Sequence, residues 1–249
     1  MRLDQELVSR GLFASREKAR RAVMAGIVLV EGHQVDKPGS SVAASMEISL
    51  VDKAEPYVSR AGRKLEAALD HFLVDPRGNV CVDVGASTGG FTDCLLQRGA
   101  TRVYAIDVGY GQLDYGLRCD SRVVVMERVN ARHLDEDFLP EKCDLATVDV
   151  SFISLLKIVP SILGLLREGS RLITLVKPQF EAPRGSVGKG GILRDEELRT
   201  EVIAQRVEQL TALGLVCNGV IDSPVAGAGG NCEALASFSL AVRSSGGVE

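Results

Sequence analysis

The sequence has no apolar run long enough to cross a bilayer, no Cys-x-x-Cys pair, only three histidines and no overall excess of positive charge. Each lack removes a class of function. The longest apolar stretch, Ile153 to Leu166, is broken by Ser154, Lys157, Pro160, Ser161 and Gly164, well short of the roughly 20 apolar residues of a membrane span. The opening residues, Met1-Arg2-Leu3-Asp4-Gln5-Glu6, hold no apolar secretion core, so a cytoplasmic protein with no membrane association is expected. Cys81, Cys94, Cys119, Cys143, Cys217 and Cys232 are scattered, and His33, His71 and His133 stand apart from them. Neither a metal site nor a disulfide is expected. The cysteines read as small buried hydrophobes and the histidines as surface or boundary residues.

What is present is an ordinary globular composition over 249 residues, 45% hydrophobic and 25% charged, enough for one large domain and a small companion. The net charge of −4 is unevenly spread. Residues 1–30 carry six basic side chains (Arg2, Arg10, Arg16, Lys18, Arg20, Arg21) against three acidic ones (Asp4, Glu6, Glu17), a balance of +3 that leaves −7 for the remainder. A local basic face suits phosphates even on an acidic chain. A solvated helix face is the bland alternative, and charge alone does not choose between them. Helices are expected at Leu3–Ser9 and Arg16–Ala25, the second capped by Ser15, followed by strands at Ile27–Val30 and Glu47–Val51.

The stretch Val80-Cys81-Val82-Asp83-Val84-Gly85-Ala86-Ser87-Thr88-Gly89-Gly90-Phe91 reads as a buried strand, a glycine turn and a helix start, with Ser87 and Thr88 as caps. Gly85, Gly89 and Gly90 would let the backbone approach a ligand closely. Asp107 ends a second strand, 24 positions after Asp83, where a carboxylate can bind the ribose hydroxyls of a nucleoside. The loop lacks the Gly-x-Gly-x-x-Gly spacing that cradles a pyrophosphate, and Asp83 would repel one. S-adenosylmethionine is therefore expected rather than NAD. Asp83, Gly85, Ser87, Thr88, Gly89, Gly90, Phe91, Asp107 and, farther along, Asn130 are the candidate cofactor residues.

Beyond Gly78, strands near 80–84, 102–106, 121–125, 144–149, 171–176, 215–221 and 234–242 alternate with helices near 89–98, 153–166 and 195–213. Another helix, from about Ser59 to Phe72, precedes them. This pattern predicts an α/β fold, a Rossmann-like seven-stranded, mostly parallel sheet with helices on both faces. The expected boundaries are 1–52 for a small α+β domain, 53–58 for a linker and 59–249 for the large domain. Ligands then bind outside the C-terminal strand ends. Asp149 and Lys177 end apolar strands there, Glu233 begins the last strand and Lys64 precedes the first. A charge after a buried strand is as often half of a structural ion pair as functional.

Arg2-Leu3-Asp4-x-x-Leu7-x-x-x-Gly11-x-x-x-Ser15-Arg16-x-x-Ala19, followed by Gly26-x-Val28-x-Val30-x-Gly32, resembles the S-four RNA-binding domain. That resemblance makes Arg2, Arg16, Lys18 and Arg20 candidate RNA contacts. The fragments Ser59-Arg60-Ala61-Gly62-Arg63-Lys64-Leu65, Asp83 to Thr92, Asp107-Val108-Gly109-Tyr110-Gly111-Gln112-Leu113, Asp149-Val150-Ser151-Phe152-Ile153-Ser154, Val176-Lys177-Pro178-Gln179-Phe180-Glu181, Val187-Gly188-Lys189-Gly190-Gly191 and Gly230-Asn231-Cys232-Glu233 resemble the FtsJ-type ribose 2′-O-methyltransferases, and within them the hemolysin-like TlyA type. The family's Lys-Asp-Lys-Glu tetrad falls on Lys64, Asp149, Lys177 and Glu233. The resemblance implies 2′-O-methylation of a cytidine in rRNA within a ribosomal subunit. The shortness of the chain ends is like that of members acting on the large subunit alone.

The chemistry fits those residue types. A ribose hydroxyl is weakly acidic and must lose a proton as it attacks a sulfonium methyl in line. A lysine kept neutral by burial and a neighbouring cation can take that proton. Lys177 is the candidate base and Lys64 the group holding the hydroxyl, with Asp149 and Glu233 orienting the two amines. Base N-methylation fits less well, because the strand end reads Asp149-Val150-Ser151-Phe152 rather than Asp-Pro-Pro-aromatic, and no cysteine follows a proline as cytosine C5 chemistry would need. Phe152 is either a stacking surface for a flipped base or core. The glycine-rich segment 185–191 fails the phosphate-loop pattern and is expected to be a mobile substrate-covering loop. Two other readings stay open: an RNA-binding or ribosome-assembly factor without catalysis, and a pore-forming protein, which the lack of a span disfavours.

Overall fold

A computed structural model describes residues 1–24, 26–50, 56–183, 185–188 and 190–241. The chain divides into two compact units, Met1–Pro56 and Tyr57–Glu249. Residues 53–55 of the linker expected at 53–58, together with Ala25, Val51, Lys189 and the end of the last expected strand at 242, lie outside the described residues.

In the first unit, α1 (Leu3–Ser9) and α2 (Arg16–Met24) cover a small antiparallel sheet of β1 (Val28–Val30), β2 (His33–Gln34) and β3 (Ile48–Leu50), in the order β2-β1-β3. Leu3 with Leu7 and Ala19 with Val23 recur at four-residue spacing, so each pair faces one way, and all four are fully buried with Val28. Gly11 reverses the chain after α1 with a φ of 71°, a conformation that favours glycine. Ser15 Oγ accepts the Lys18 N–H at 3.3 Å at the start of α2.

The second unit runs α3 (Ala61–His71), β4 (Val80–Val84), α4 (Gly90–Gln97), β5 (Arg102–Asp107), α5 (Tyr115–Cys119), β6 (Val123–Glu127), β7 (Cys143–Val148), α6 (Val159–Leu163), β8 (Leu166–Val176), α7 (Pro178–Glu181), α8 (Glu196–Thr211), β9 (Leu215–Asp222) and β10 (Ala234–Leu240). The seven strands stand in the order β6-β5-β4-β7-β8-β10-β9, parallel except for β10, which runs against both neighbours. Alternation sorts the side chains. Val82, Val84, Ala146 and Val148 join one core with Ile203 and Leu210 of α8, while Cys81, Val103, Leu145 and Ile173 join another with Leu65, Leu69, Phe91 and Leu95 of α3 and α4. Strand order reverses at β4, which opens a crevice at its C-terminal end and that of β7.

The helix expected over 153–166 is instead a 3-10 turn, Leu155–Lys157, and the five-residue α6, after which β8 begins at Leu166. Pro160 fits only the first turn of α6 and Gly164 stands just past its end. The strand expected at 121–125 lies two residues later, with Asp120 and Arg122 bonded to each other before it. Ser87 and Thr88 do not cap α4. Its N-cap is Gly89, in the left-handed region at φ 99°. Cys81, Cys94 and Cys143 are buried as expected, whereas Cys119 and Cys232 are exposed.

Candidate active site

The sheet register gathers the charged strand ends. Val148 pairs with Thr174 and Ala234 with Val176, so Asp149, Lys177 and Glu233 emerge at one edge of β7, β8 and β10. Lys64 of α3 reaches the same edge. Its Nζ donates to Glu233 Oε2 at 2.6 Å, with side chains only 10% and 3% exposed. Gly227 leaves the room, since a Cβ there would lie 2.1 Å from Glu233 Oε1. Lys177 Nζ stands 2.5 Å from Asp149 Oδ1, a charge contact rather than an aligned hydrogen bond, and donates to Ser151 Oγ at 2.9 Å. Gln179 Nε2 reaches Glu233 Oε1 at 3.3 Å. The four residues thus form two lysine–carboxylate pairs, with Gln179 running from the Lys177 segment to the other pair.

A cavity of about 500 Å³ opens beside them and shares Asp149 as a wall. Its polar side holds Gly85, Ser87, Asp107, Gln112 and Asn130, and its apolar side Ile106, Val129, Ile153 and Ile158. Asp107 is fixed at the mouth, Oδ2 accepting the Ser87 N–H at 2.8 Å and Oδ1 the Gly109 N–H at 2.6 Å. A carboxylate has lone pairs left after two such bonds. Asn130 Oδ1 accepts the Arg132 N–H at 3.1 Å, which leaves its amide N–H groups available to the cavity it lines. A nucleoside joined to an amino-acid chain suits this size and this division of polar and apolar walls.

Four expected cofactor residues lie at the cavity, Gly85, Ser87, Asp107 and Asn130, and five do not. Asp83 shares its face of β4 with Cys81 and is fully buried, its carboxylate accepting Thr92 Oγ1 at 2.7 Å and Thr147 Oγ1 at 3.0 Å. Burial pushes that carboxyl up to about 6, against the two hydroxyls. Thr88 is exposed outside the cavity lining, and Phe91 is core. Gly89 and Gly90 lie outside the cavity lining and are closely packed. A Cβ on Gly89 would meet Leu117 Cδ1 at 2.2 Å, and one on Gly90 would meet Ser59 Oγ at 2.3 Å and the Gly62 nitrogen at 2.9 Å.

Phe152 stands at the rim, 89% exposed, at φ 64°, its ring tilted by 47° against that of Phe180 with centroids 4.8 Å apart. A large exposed aromatic held in the left-handed region is a costly arrangement of the kind found at binding sites. In the first unit, Arg2 Nε and Arg16 Nε sit 3.0 and 2.9 Å from the buried Asp4 carboxylate, each half exposed. The Arg2 hydrogen bond leads in pulling Asp4 down to about 2. Lys18 and Arg20 are exposed. The sequence reading did not single out Gln179, Glu181 or Arg206. Arg206 was detectable as a cation among Ile203, Val207 and Leu210 on the buried stripe of α8.

Residues 57–239 match the FtsJ-like methyltransferase family and residues 1–48 the S4 domain. The chain is 44% identical to Hemolysin A of Brachyspira hyodysenteriae over 239 residues, 96% of this chain and 99% of that protein. It is 43% identical over 233 residues to the 16S/23S rRNA (cytidine-2′-O)-methyltransferase TlyA of Mycobacterium tuberculosis, 93% of this chain and 87% of that one. A hemolysin-like structure from Streptococcus thermophilus superposes with a TM-score of 0.77 at 41% identity, covering 97% of this chain and 88% of the other.

Proposed function

The chain belongs to the FtsJ-like methyltransferase family and carries an S4 domain, and from that footing we propose that it methylates the ribose 2′-hydroxyl of a cytidine in rRNA, with S-adenosylmethionine as donor. The observation that carries the proposal is the two lysine–carboxylate contacts at strand ends, one buried (Lys64–Glu233) and one half-buried (Lys177–Asp149), the second of which shares Asp149 as a wall with the nucleoside-sized cavity.

Asp107 is suited to the donor's ribose hydroxyls, Gly85 and Ser87 to its amino-acid end, and Ile106, Val129 and Ile158 to its adenine. When bound, the donor supplies an electrophilic methyl whose bonding pair departs with sulfur. Lys177, in its neutral form, takes the 2′-hydroxyl proton on Nζ as the oxygen attacks. Lys64, held by Glu233, positions that oxygen, and Asp149 aims Lys177 while its charge balances the cationic centre nearby. No side chain is acylated or alkylated, so the acceleration rests on alignment. Phe152 offers a face on which the target base stacks once turned out of its helix. Lys18 and Arg20, with the outer faces of Arg2 and Arg16, hold RNA phosphates. On this reading the protein works in the cytoplasm on rRNA of a ribosomal subunit.

Incubation with methyl-labelled S-adenosylmethionine and, separately, small subunits, large subunits and naked rRNA tests the proposal. Label in RNA with the wild type and not with Lys177→Ala is expected. Binding of RNA without label from any substrate points to an assembly factor and defeats the enzymatic reading. Leakage of vesicles that persists in Lys177→Ala would favour a membrane activity instead. Among the described residues, no helix is long and apolar enough to cross a membrane.

A further inference from the structure

Four residues beyond Lys177 lies a carboxylate that the reaction itself does not use. Glu181 ends α7 with its side chain 2% exposed, facing Arg206 of α8, which is 8% exposed, and Glu181 Oε2 stands 2.9 Å from Arg206 Nε. The other oxygen, Oε1, accepts the backbone N–H of Leu155 at 2.7 Å. Arg206 Nη1 in turn donates to Gln209 Oε1 at 2.6 Å. Burial raises the Glu181 carboxyl above its ordinary range, countered by the Leu155 N–H, the Ser154 hydroxyl and Arg206.

A buried ion pair of this kind adds little net stability, because desolvation offsets most of the attraction. Its placement gives it another use. Glu181 sits on the short helix that follows Lys177, and Leu155 opens the turn that follows the Asp149–Ser154 segment. One carboxylate therefore holds both segments that carry the Lys177–Asp149 contact. Through Arg206 it ties them to α8, a 16-residue helix packed on the sheet. Neither Glu181 nor Arg206 lines the cavity.

We infer that Glu181 is a positioning residue, which with Arg206 sets the separation of Lys177 and Asp149 without touching either substrate. The inference rests on the reading above that this pair serves the transfer. Two full-length variants test it. The double substitution Glu181→Met, Arg206→Met removes both charges at similar volume, while Glu181→Gln keeps an acceptor for Leu155 and leaves Arg206 unpaired. The double variant is expected to melt near the wild type, to bind S-adenosylmethionine within twofold, and to transfer methyl about 100-fold more slowly in a single turnover, as a misplacement near 1 Å costs. Glu181→Gln is expected to melt lower yet transfer faster than the double variant. Activity and stability would then rank the two variants in opposite orders, which a purely structural role does not do. A crystal structure of the double variant decides the point even if the wild type methylates no RNA, and Lys177 Nζ out of contact with Asp149 is the expected result. An intact contact there, a wild-type rate, or activity that follows melting temperature would overturn the inference.

Discussion

Adding one methyl group at Gly85 should disable this protein while leaving most of it folded. Gly85 turns the chain at the end of β4 with a φ of 87°, and a Cβ there would lie 2.3 Å from the carbonyl oxygen and 2.8 Å from the carbonyl carbon of Asp149. An ordinary contact begins near 3.4 Å, so one of the two segments must retreat by about 1.1 Å. Left-handed backbone costs an alanine roughly 1 kcal/mol, and the retreat adds strain of similar size, a total near 2 kcal/mol. The movable partner is the partly exposed Asp149–Phe152 segment rather than the buried strand, so the displacement falls on the Lys177–Asp149 contact and the cavity wall. A shift near 1 Å at a reacting centre costs about 100-fold in rate. Single-turnover methyl transfer and calorimetric S-adenosylmethionine binding, read beside a thermal melt, measure both effects. Gly85→Ala is expected to melt a few degrees lower, bind the donor weakly and transfer methyl at about one-hundredth the rate. Wild-type transfer by a folded Gly85→Ala protein would refute the reasoning.

Other substitutions probe the charges and the rim. Asp83 titrates near 6 in the fold against 3.8 ordinarily, so its contribution to stability is complete below about pH 4 and is lost as pH rises through 6, by up to about 3 kcal/mol. Asp83→Asn should flatten that slope, and urea midpoints between pH 4 and 8 should show it no less stable than wild type at pH 7.5. Asp4, held near 2, contributes stability present above about pH 4 and lost as pH falls through 2. With half-exposed arginines as partners, Asp4→Asn should cost the N-terminal unit about 1 kcal/mol at pH 7 and nothing at pH 2, checked by denaturation at both values. Phe152→Ala should leave donor binding unchanged and slow transfer to RNA 10-fold or more, consistent with about 1–3 kcal/mol for a lost stacking contact. Equal rates for the two proteins would return Phe152 to a packing role.

Much of this was legible because strand alternation and strand ends are local signals. Val80–Val84 and Asp107 announced the crevice, and charges directly after apolar runs marked Asp149 and Lys177. The pairing was not legible, since only the antiparallel return of β10 brings Glu233 beside the segment of Lys177 and within reach of Lys64. The loop glycines were only partly legible for a related reason. A glycine that admits a ligand and one needed for helix packing look alike in sequence, and only the structure shows the packing demand at Gly89 and Gly90. Asp83 preceded the glycines as a ligand-binding carboxylate would, yet its register turned it toward Thr92 and Thr147. The helix expected over 153–166 shrank because Pro160 is tolerated only in a first turn and Gly164 caps the end, leaving the five-residue α6.

The central claim concerns where the methyl group goes. Nucleoside mass spectrometry of rRNA treated with the protein and S-adenosylmethionine answers it directly. The account predicts a new 2′-O-methylcytidine that forms with the wild type and disappears with Lys177→Ala at undiminished donor binding. A methyl group on a base, or 2′-O-methylcytidine formed equally well by Lys177→Ala, would contradict it.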